Sequence, residues 1–301
     1  MSASAITLYA LETAGFDARV ASALALLQGA AAEHPGRVVQ ATSLGAEDMV
    51  ITDLIARHRL PIALGTLQTG MLHDETVALI ARIEDRYALP VEVYEPVHEA
   101  VIQFVAKHGE RAMYESIELR KGCCAMRKLE PLSRMLKDRS AWVTGMRREQ
   151  SNNRGAVVFS ELDANGRTKF NPLADWSWAD VWHYIAIHDV PYNPLHDQFY
   201  PSIGCAPCTR AIAVGEDFRA GRWWWENEDA KECGLHVKPH SSDTAVSVVS
   251  QRETDGGFVS AQANFGAAEV KGSQEPGRSQ NAKECGLHVN DSRVSMIGAP
   301  A

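Results

Sequence analysis

The chain has 301 residues, of which 45% are hydrophobic, and its formal net charge is −8 at pH 7. This length suits one large or two small globular domains, and the negative charge argues against a general binder of nucleic acid or membrane surfaces. Six cysteines are too few for a disulfide scaffold of this length. Because residues 1–19 show no secretory signal and the longest apolar run near the start is far shorter than a membrane span of ~20 residues, we expect a cytoplasmic protein with no nucleic-acid or membrane partner. A homo-oligomer is compatible with the sequence.

Strand-like and helix-like segments alternate in the first half of the chain. Residues 38–42 are typical of a strand, and the turn 43–45 leads into a segment whose apolar residues recur four positions apart. Residues 61–67 and the turn 68–70 repeat this order, and residues 90–94 predict a third strand. This repetition predicts an α/β fold with an open, mostly parallel sheet and flanking helices.

Further signals place a pocket on this sheet. Residues 142–145 predict another buried strand, and Ser177 with Asp180 predicts a capping box at the start of a helix. Ligands of open α/β sheets bind beyond the carboxyl ends of the strands. We therefore expect three turns to meet at one pocket: 43–45, 68–70 and 145–148.

The cysteines between residues 122 and 234 fall into three groups, namely Cys123 with Cys124, Cys205 with Cys208, and Cys233 alone. Adjacent cysteines rarely form a disulfide, because their Cα atoms are only ~3.8 Å apart while a disulfide needs ~5.5 Å. The two pairs are therefore free or ligate a metal. Spacing alone leaves open an iron–sulfur cluster, a zinc site, or structural cysteines beside a redox Cys-x-x-Cys.

Cys233 is a candidate nucleophile. Lys231 and His236 flank it and would favour its thiolate, although a lone histidine is more often a surface residue without a role. Three consecutive tryptophans, residues 223–225, precede it and cannot all face one side of a helix or strand. We expect at least one of them to close over a site or to anchor the segment.

Two features indicate an anionic ligand. The turn from Ser43 to Asp48 offers backbone N–H groups, a hydroxyl and a helix N-terminus, which suit phosphate, although an ordinary capped turn explains it equally well. Basic residues also lie next to each cysteine pair and in a further group, where they would hold an oxyanion or simply face solvent. They are Arg127, Lys128, Arg147, Arg148, Arg154, Arg210, Arg219 and Arg222.

Together these segments resemble the assimilatory adenylyl-sulfate (APS) reductases, relatives of the 3′-phosphoadenylyl-sulfate (PAPS) reductases. The match covers about residues 38–237. Its motifs are Gly-Ala-Glu-Asp (45–48), Thr-Gly-x-x-His-x-Glu-Thr (69–76), Cys-Cys-x-x-Arg-Lys (123–128), Thr-Gly-x-Arg-Arg (144–148), Lys-Phe-Asn-Pro-Leu (169–173), Gly-Cys-x-Pro-Cys-Thr-Arg (204–210), Gly-Arg-Trp-Trp-Trp-Glu (221–226) and Lys-Glu-Cys-Gly-Leu-His (231–236).

The resemblance implies an adenine nucleotide α-hydrolase-like fold with a C-terminal catalytic segment. It also implies a [4Fe-4S] cluster on Cys123, Cys124, Cys205 and Cys208, with APS as the substrate in sulfate assimilation and cysteine biosynthesis. In the family, the equivalent of Cys233 attacks the sulfate sulfur and AMP leaves. A thioredoxin or glutaredoxin thiol then releases sulfite from the S-sulfocysteine.

The resemblance also implies the substrate contacts. Lys128, Arg219 and Arg222 match positions near the sulfate. Arg154 and the turn from Ser43 to Gly45 would hold the nucleotide phosphate. The remaining expected substrate contacts are Leu67 and Gly70 at the adenosine, with Gly145, Arg147 and His236.

Departures from the family pattern keep other enzymes in view. Gln68 stands where the family usually has Asp, and Leu44 stands where Ser is frequent. A PAPS reductase releasing adenosine 3′,5′-bisphosphate is the nearest alternative. A cluster-containing, ATP-dependent tRNA thiolase would need a Ser-Gly-Gly-x-Asp-Ser loop where this chain has Ser-Leu-Gly-Ala-Glu-Asp, and a four-cysteine zinc module is the non-enzymatic alternative.

We expect four regions along the chain. They are an N-terminal helical segment (1–30), a nucleotide- and cluster-binding α/β domain (31–212), a segment carrying the nucleophilic cysteine (213–239) and a disordered tail (240–301). Residues 282–289 in the tail repeat residues 230–237 letter for letter. Cys285 in this second copy lacks the tryptophans before it, so we expect it to be a spare.

Overall fold

The computed structural model describes residues 4–150 and 155–226. The predictions for Arg154, Cys233, His236, Cys285 and the tail lie outside these ranges. The helices are α1 (Ala5–Tyr9), α2 (Phe16–Glu33), α3 (Ala46–Arg57), α4 (Asp74–Tyr87), α5 (His98–His108), α6 (Ile117–Cys124), α7 (Glu130–Met135) and α8 (Trp178–His188). The strands are β1 (Val38–Thr42), β2 (Ala63–Leu67), β3 (Val91–Tyr94), β4 (Ala141–Val143), β5 (Ser160–Leu162) and β6 (Thr168–Phe170). No helix within these ranges is long and apolar enough to cross a membrane.

The six strands form one sheet in the order β3-β2-β1-β4-β6-β5. Every neighbouring pair is parallel except β5 and β6. The predicted open, mostly parallel sheet is therefore confirmed. The chain runs outward from β1 to β3 and then returns to add β4 on the other side of β1, so the strand order reverses between β1 and β4. Such a reversal opens a crevice at the carboxyl ends of the two strands, where ligands bind.

Helix α3 anchors the sheet to α8. Ten of its twelve residues are buried, including Val50 and Leu54 of the predicted apolar stripe. Its buried Asp53 accepts hydrogen bonds from the hydroxyls of Tyr87 (2.9 Å) and Tyr184 (2.8 Å), which satisfies the carboxylate in the core. The predicted capping box of Ser177 and Asp180 is present at the start of α8.

A π-helical turn, Ala125–Leu129, joins α6 and α7 directly after the cysteine pair. Pro131 lies in the first turn of α7 and has no N–H to donate, which removes one regular helical hydrogen bond at this point. A π turn inserts one extra residue and is frequent at functional sites. It sets the direction of Arg127 and Lys128 relative to the two cysteines.

Candidate active site

A cavity of about 200 Å³ lies beyond the carboxyl ends of β1, β2 and β4. Ser43, Thr69 and Gly145 all line it, so the three predicted turns meet as expected. Among the predicted substrate contacts, the cavity is also lined by Gly45, Leu67, Lys128, Arg219 and Arg222.

Two groups of side chains divide the cavity wall chemically. Four residues from different elements form an apolar wall: Ala41, Leu67, Leu132 and Trp142. Three residues form a basic group: Lys128, Arg219 and Arg222. A flat, largely apolar ring suits the first group, and an oxyanion suits the second. The cavity therefore matches a ligand that has a flat aromatic ring at one end and anionic groups at the other.

The turn after β1 is held by Asp48, whose carboxylate accepts from the backbone N and the Oγ of Ser43, each at 2.6 Å. Leu44 adopts a left-handed φ of 62° and is buried, so this departure from the family pattern puts an apolar side chain in the core. Burial raises the pKa of Asp48 to about 6, and the nearby charge of Glu47 adds to this. A Cβ on Gly145 would lie 2.5 Å from Asp48 Oδ1, so only glycine fits there.

Arg147 differs from the sequence expectation, because it does not line the cavity. Its guanidinium is buried and donates to Glu47 (3.0 Å), to Glu149 (3.1 Å) and to the Trp176 carbonyl (3.2 Å). Burial opposes ionisation of Glu47, but Arg147 and Gln150 outweigh it and hold the pKa of Glu47 below its ordinary value. Arg147 therefore fixes the cavity wall through Glu47, and its charge is already neutralised.

Gly70 likewise lies outside the cavity lining. Its φ of 70° is left-handed, and its backbone N donates to Gln68 Oε1 at 3.0 Å. Gln68, the second departure from the family pattern, thus closes its own turn. Arg127 donates to the Thr69 carbonyl at 2.7 Å, which ties this turn to the helix that carries the cysteine pair.

The four cysteines of the two pairs line one second, smaller cavity next to the first. All four are buried, and the described residues form no disulfide among them. Thr69 Oγ1 lies 3.2 Å from Cys205 Sγ. A Cβ on Gly204 would collide with the Arg222 guanidinium, which explains the glycine before Cys205. Lys128, Arg222 and Trp223 line both cavities, so the thiols and the basic group are neighbours.

The four thiols and their surroundings suit an iron–sulfur centre, which has a net negative charge once four thiolates bind it. Burial raises the pKa of Cys123 and raises that of Cys208 to about 12, so a metal is needed to hold these groups as thiolates. Buried nitrogens beside them, namely Nε of Arg127, Nε of Arg222 and Nε1 of Trp223, have no hydrogen-bond partner in the described chain. Within residues 4–150 and 155–226, no three His, Cys, Asp or Glu side chains are arranged around a single metal ion. The [4Fe-4S] cluster stays a prediction.

Residues 219–226, here called the tryptophan strap, close over both cavities. Trp223 is 1% exposed, and the guanidiniums of Arg120 (4.7 Å), Arg222 (4.6 Å) and Arg219 (5.9 Å) lie over its ring. At the end of the strap, Glu226 accepts from Arg120 Nε at 2.9 Å and Nη2 at 2.7 Å. The expectation that one tryptophan covers a site is confirmed for Trp223.

Residues 37–211, more than half of the chain, match the phosphoadenosine phosphosulfate reductase domain. The chain belongs to this family. It is similar to a protein named adenosine 5′-phosphosulfate reductase from Allochromatium vinosum, with 55% identity over 227 residues that cover 75% of this chain and 88% of the relative. A protein of the same name from Burkholderia cepacia is 55% identical over 206 residues, which cover 68% of this chain and 82% of the relative.

A solved structure also resembles this phosphosulfate reductase family member. It is a phosphoadenylyl-sulfate (PAPS) reductase from Candida auris in a phosphate complex, with 29% identity and a TM-score of 0.54. The similarity covers 65% of this chain and 97% of that chain. The adenine nucleotide α-hydrolase-like fold expected from the motifs is thereby confirmed.

Several cavity residues were missed by the sequence reasoning. His196, Gln150 and Phe218 line the cavity from segments that carry no recognised signal. Arg120 was also missed, although it lies three residues before the cysteine pair. The one available signal was that Arg120 is charged at a position of α6 that faces the core. A buried charge needs a partner of opposite charge.

Proposed function

We propose that this chain is an adenylyl-sulfate reductase, which converts APS to sulfite and AMP in sulfate assimilation. The supporting observation is the cavity that combines an anion-binding turn, an apolar wall and the basic group beside four buried thiols. Relatives named adenosine 5′-phosphosulfate reductase, at 49–55% identity, support the same substrate.

The nucleotide part of APS would occupy the inner cavity. The adenine ring would lie against the apolar wall, with the backbone of Leu67 at its edge. The phosphate would lie at the turn from Ser43 to Gly45, where the N-terminus of α3 favours an anion. The backbone N–H groups of Ser43 and Leu44 donate within the protein, to Asp48 and to Thr42, and shape the turn. Arg154 would add a cation to this phosphate.

The sulfate part of APS would lie at the basic group. A nucleophile that attacks a sulfuryl group must approach oxygens that already carry negative charge. Lys128, Arg219 and Arg222 would offset this charge. They would stabilise the transition state more than the bound substrate, because negative charge builds on the leaving phosphate oxygen as the bond breaks. The basic group therefore supports both binding and the reaction.

The reaction would proceed in two steps. The Cys233 thiolate attacks the sulfate sulfur, so a bond forms between Sγ and that sulfur while the sulfur–oxygen bond to the phosphate breaks and AMP leaves. A thiolate of thioredoxin or glutaredoxin then attacks Cys233 Sγ and expels sulfite. The second thiol of that reductant closes its disulfide and frees Cys233, so the dithiol supplies both electrons.

Cys123, Cys124, Cys205 and Cys208 would hold the [4Fe-4S] cluster. When bound, the cluster would supply local charge and rigidity next to Lys128 and Arg222, since the dithiol already accounts for the two electrons. A hydrogen bond from Ala206 N to the Met71 carbonyl, at 2.7 Å, ties the Cys-x-x-Cys turn to the segment after β2.

Mass spectrometry after incubation with APS and no reductant tests this proposal. We expect one sulfo group on Cys233, as S-sulfocysteine, and none on Cys285. Cys233→Ser should lose turnover, and truncation after Pro239 should keep it. Full turnover in a chain lacking both Cys233 and Cys285 would contradict the assignment, whereas rescue of Cys233→Ser by Cys285 would make the tail a second catalytic segment.

A further inference from the structure

His196 is a buried histidine beside the cavity that the proposed reaction does not use. It is 4% exposed and lines the cavity together with Glu47 and Thr76. Neither ring nitrogen makes a hydrogen bond of normal geometry in the part of the chain that the structure describes, although the Tyr200 carbonyl lies near the ring. A buried polar atom without a partner costs about 1–3 kcal/mol. The ring is therefore suited to receive a partner from a ligand.

The position of His196 is fixed by its neighbours. It lies in a 3₁₀ turn, Pro194–Gln198, and its backbone N donates to the Asn193 carbonyl at 3.1 Å. Asn193 is fully buried, and its side chain donates to Thr76 Oγ1 at 2.8 Å. This network ties His196 to α4, so its ring is placed before any ligand arrives.

The surroundings of the ring keep it uncharged. Trp182 contacts it edge to face with ring centroids 5.3 Å apart, and Trp178 lies at 6.0 Å. Burial lowers the pKa of His196 to about 4, and the charges of Glu47 and Asp197 only partly oppose this. A neutral imidazole has one donor nitrogen and one acceptor nitrogen. It matches a hydroxyl group, which also donates and accepts, better than it matches an anion.

We propose that His196 hydrogen-bonds a ribose hydroxyl of the bound adenine nucleotide and thereby selects ribonucleotides over their deoxy analogues. This inference rests on the proposed function, because it takes an adenine nucleotide as the ligand. The base is provided for by the apolar wall, and the anionic groups are provided for by the Ser43 turn and the basic group. The ribose is the part of the ligand that remains for a neutral donor and acceptor.

The test measures binding of AMP, 2′-deoxy-AMP and 3′-deoxy-AMP to the anaerobically purified full chain by calorimetry. We expect the wild-type chain to bind AMP about 5–10-fold more tightly than the deoxy analogue that lacks the hydroxyl bonded by His196. This ratio is the contribution of one hydrogen bond. His196→Phe keeps a ring between the tryptophans and removes both nitrogens. His196→Phe should bind AMP as weakly as the wild-type chain binds that deoxy analogue. The variant should also bind AMP and the analogue with equal affinity.

His58→Phe is the matched control. His58 caps the far end of α3, about 18 Å from the helix N-terminus that borders the cavity, and it should keep the wild-type preference. The inference is overturned when His196→Phe retains both the AMP affinity and the discrimination. Equal affinity of the wild-type chain for AMP, 2′-deoxy-AMP and 3′-deoxy-AMP overturns the inference as well. If the wild-type chain binds no adenine nucleotide at all, the proposed function fails together with it.

A second measurement does not depend on the stability of His196→Phe. In the wild-type chain labelled with ¹⁵N-histidine, AMP should shift the resonance of one His196 ring nitrogen. The deoxy analogue that binds more weakly than AMP should leave this resonance unchanged. His196→Gln identifies the resonance by its loss. An unchanged His196 resonance at saturating AMP would contradict the proposal even if His196→Phe were unstable.

Discussion

The buried pair of Arg120 and Glu226 holds the tryptophan strap, and Glu226→Gln should release it. The pair is bidentate, with N–O distances of 2.9 and 2.7 Å, and its side chains are 0% and 3% exposed. Gln has nearly the same shape but no charge, so a buried guanidinium would lose its carboxylate.

The cost follows from this geometry. Removing one partner of a buried ion pair costs about 3–5 kcal/mol. Arg120 would keep one amide oxygen and the face of Trp223 at 4.7 Å, so we expect about 3 kcal/mol, the lower end. Because Glu226 is at the end of the described strap, this cost should appear as local opening of residues 219–226. A cost of this size lowers the closing equilibrium constant of the strap about 100-fold, so kcat/KM for APS should fall by up to about 100-fold.

Hydrogen exchange of residues 219–226, measured beside kcat/KM, provides the assay. Both readouts should change in Glu226→Gln, and Arg120→Met should restore part of the closure when combined with it, because an apolar pair leaves no buried charge. Glu216→Gln is the control, since it breaks an ion pair with Arg210 that is about one-third exposed and should cost under about 1 kcal/mol. Unchanged exchange and activity in Glu226→Gln would refute the reasoning.

Three further predictions test individual groups. Lys128→Met should lower kcat for APS about 10²-fold with little change in Tm, whereas Lys121→Met on the exposed side of α6 should leave kcat unchanged; equal effects would remove Lys128 from the site. Asp48 should stay protonated in the folded chain up to a pKa of about 6 but ionise near 3.8 when unfolded, so the folded state binds more protons between these values. The free energy of unfolding should therefore fall from pH 4 to pH 6 by an amount that Asp48→Asn abolishes, and identical slopes would refute the assignment. Anaerobically purified chain should carry about four irons, which Cys123→Ser should remove, and stoichiometric zinc without iron would contradict the cluster.

The sequence predicted those parts of the fold that depend on local pattern. Strands β1 and β2, their turns and the capping box of α8 follow from apolar periodicity and turn residues, and all of them are present. Strands β5 and β6 were not predicted, because their three-residue sequences, Ser-Glu-Leu and Thr-Lys-Phe, lack the continuous apolar run that marks β4. Helix α5 was not predicted, although Val101, Phe104 and Val105 recur at helical spacing, and none of its residues is buried.

The candidate site was predictable where motifs carry the chemistry. The two cysteine pairs and the Ser43 turn came from residue type and spacing, the basic group came from the family motifs, and the structure brings all of them together. Arg147 was expected at the substrate because its motif is shared, yet Glu47, a hundred residues earlier, binds it inside the core. Contacts of that sequence separation, and the buried ring of His196, depend on the assembled sheet and leave no local pattern.

The most direct test of the proposed function offers APS and PAPS in competition to the full chain with a thioredoxin system. Sulfite and the released nucleotide are measured together. We predict sulfite formation matched one to one by AMP, with PAPS consumed much more slowly. Release of adenosine 3′,5′-bisphosphate as the main product, or no sulfite from either nucleotide, would contradict the assignment of this chain as an APS reductase.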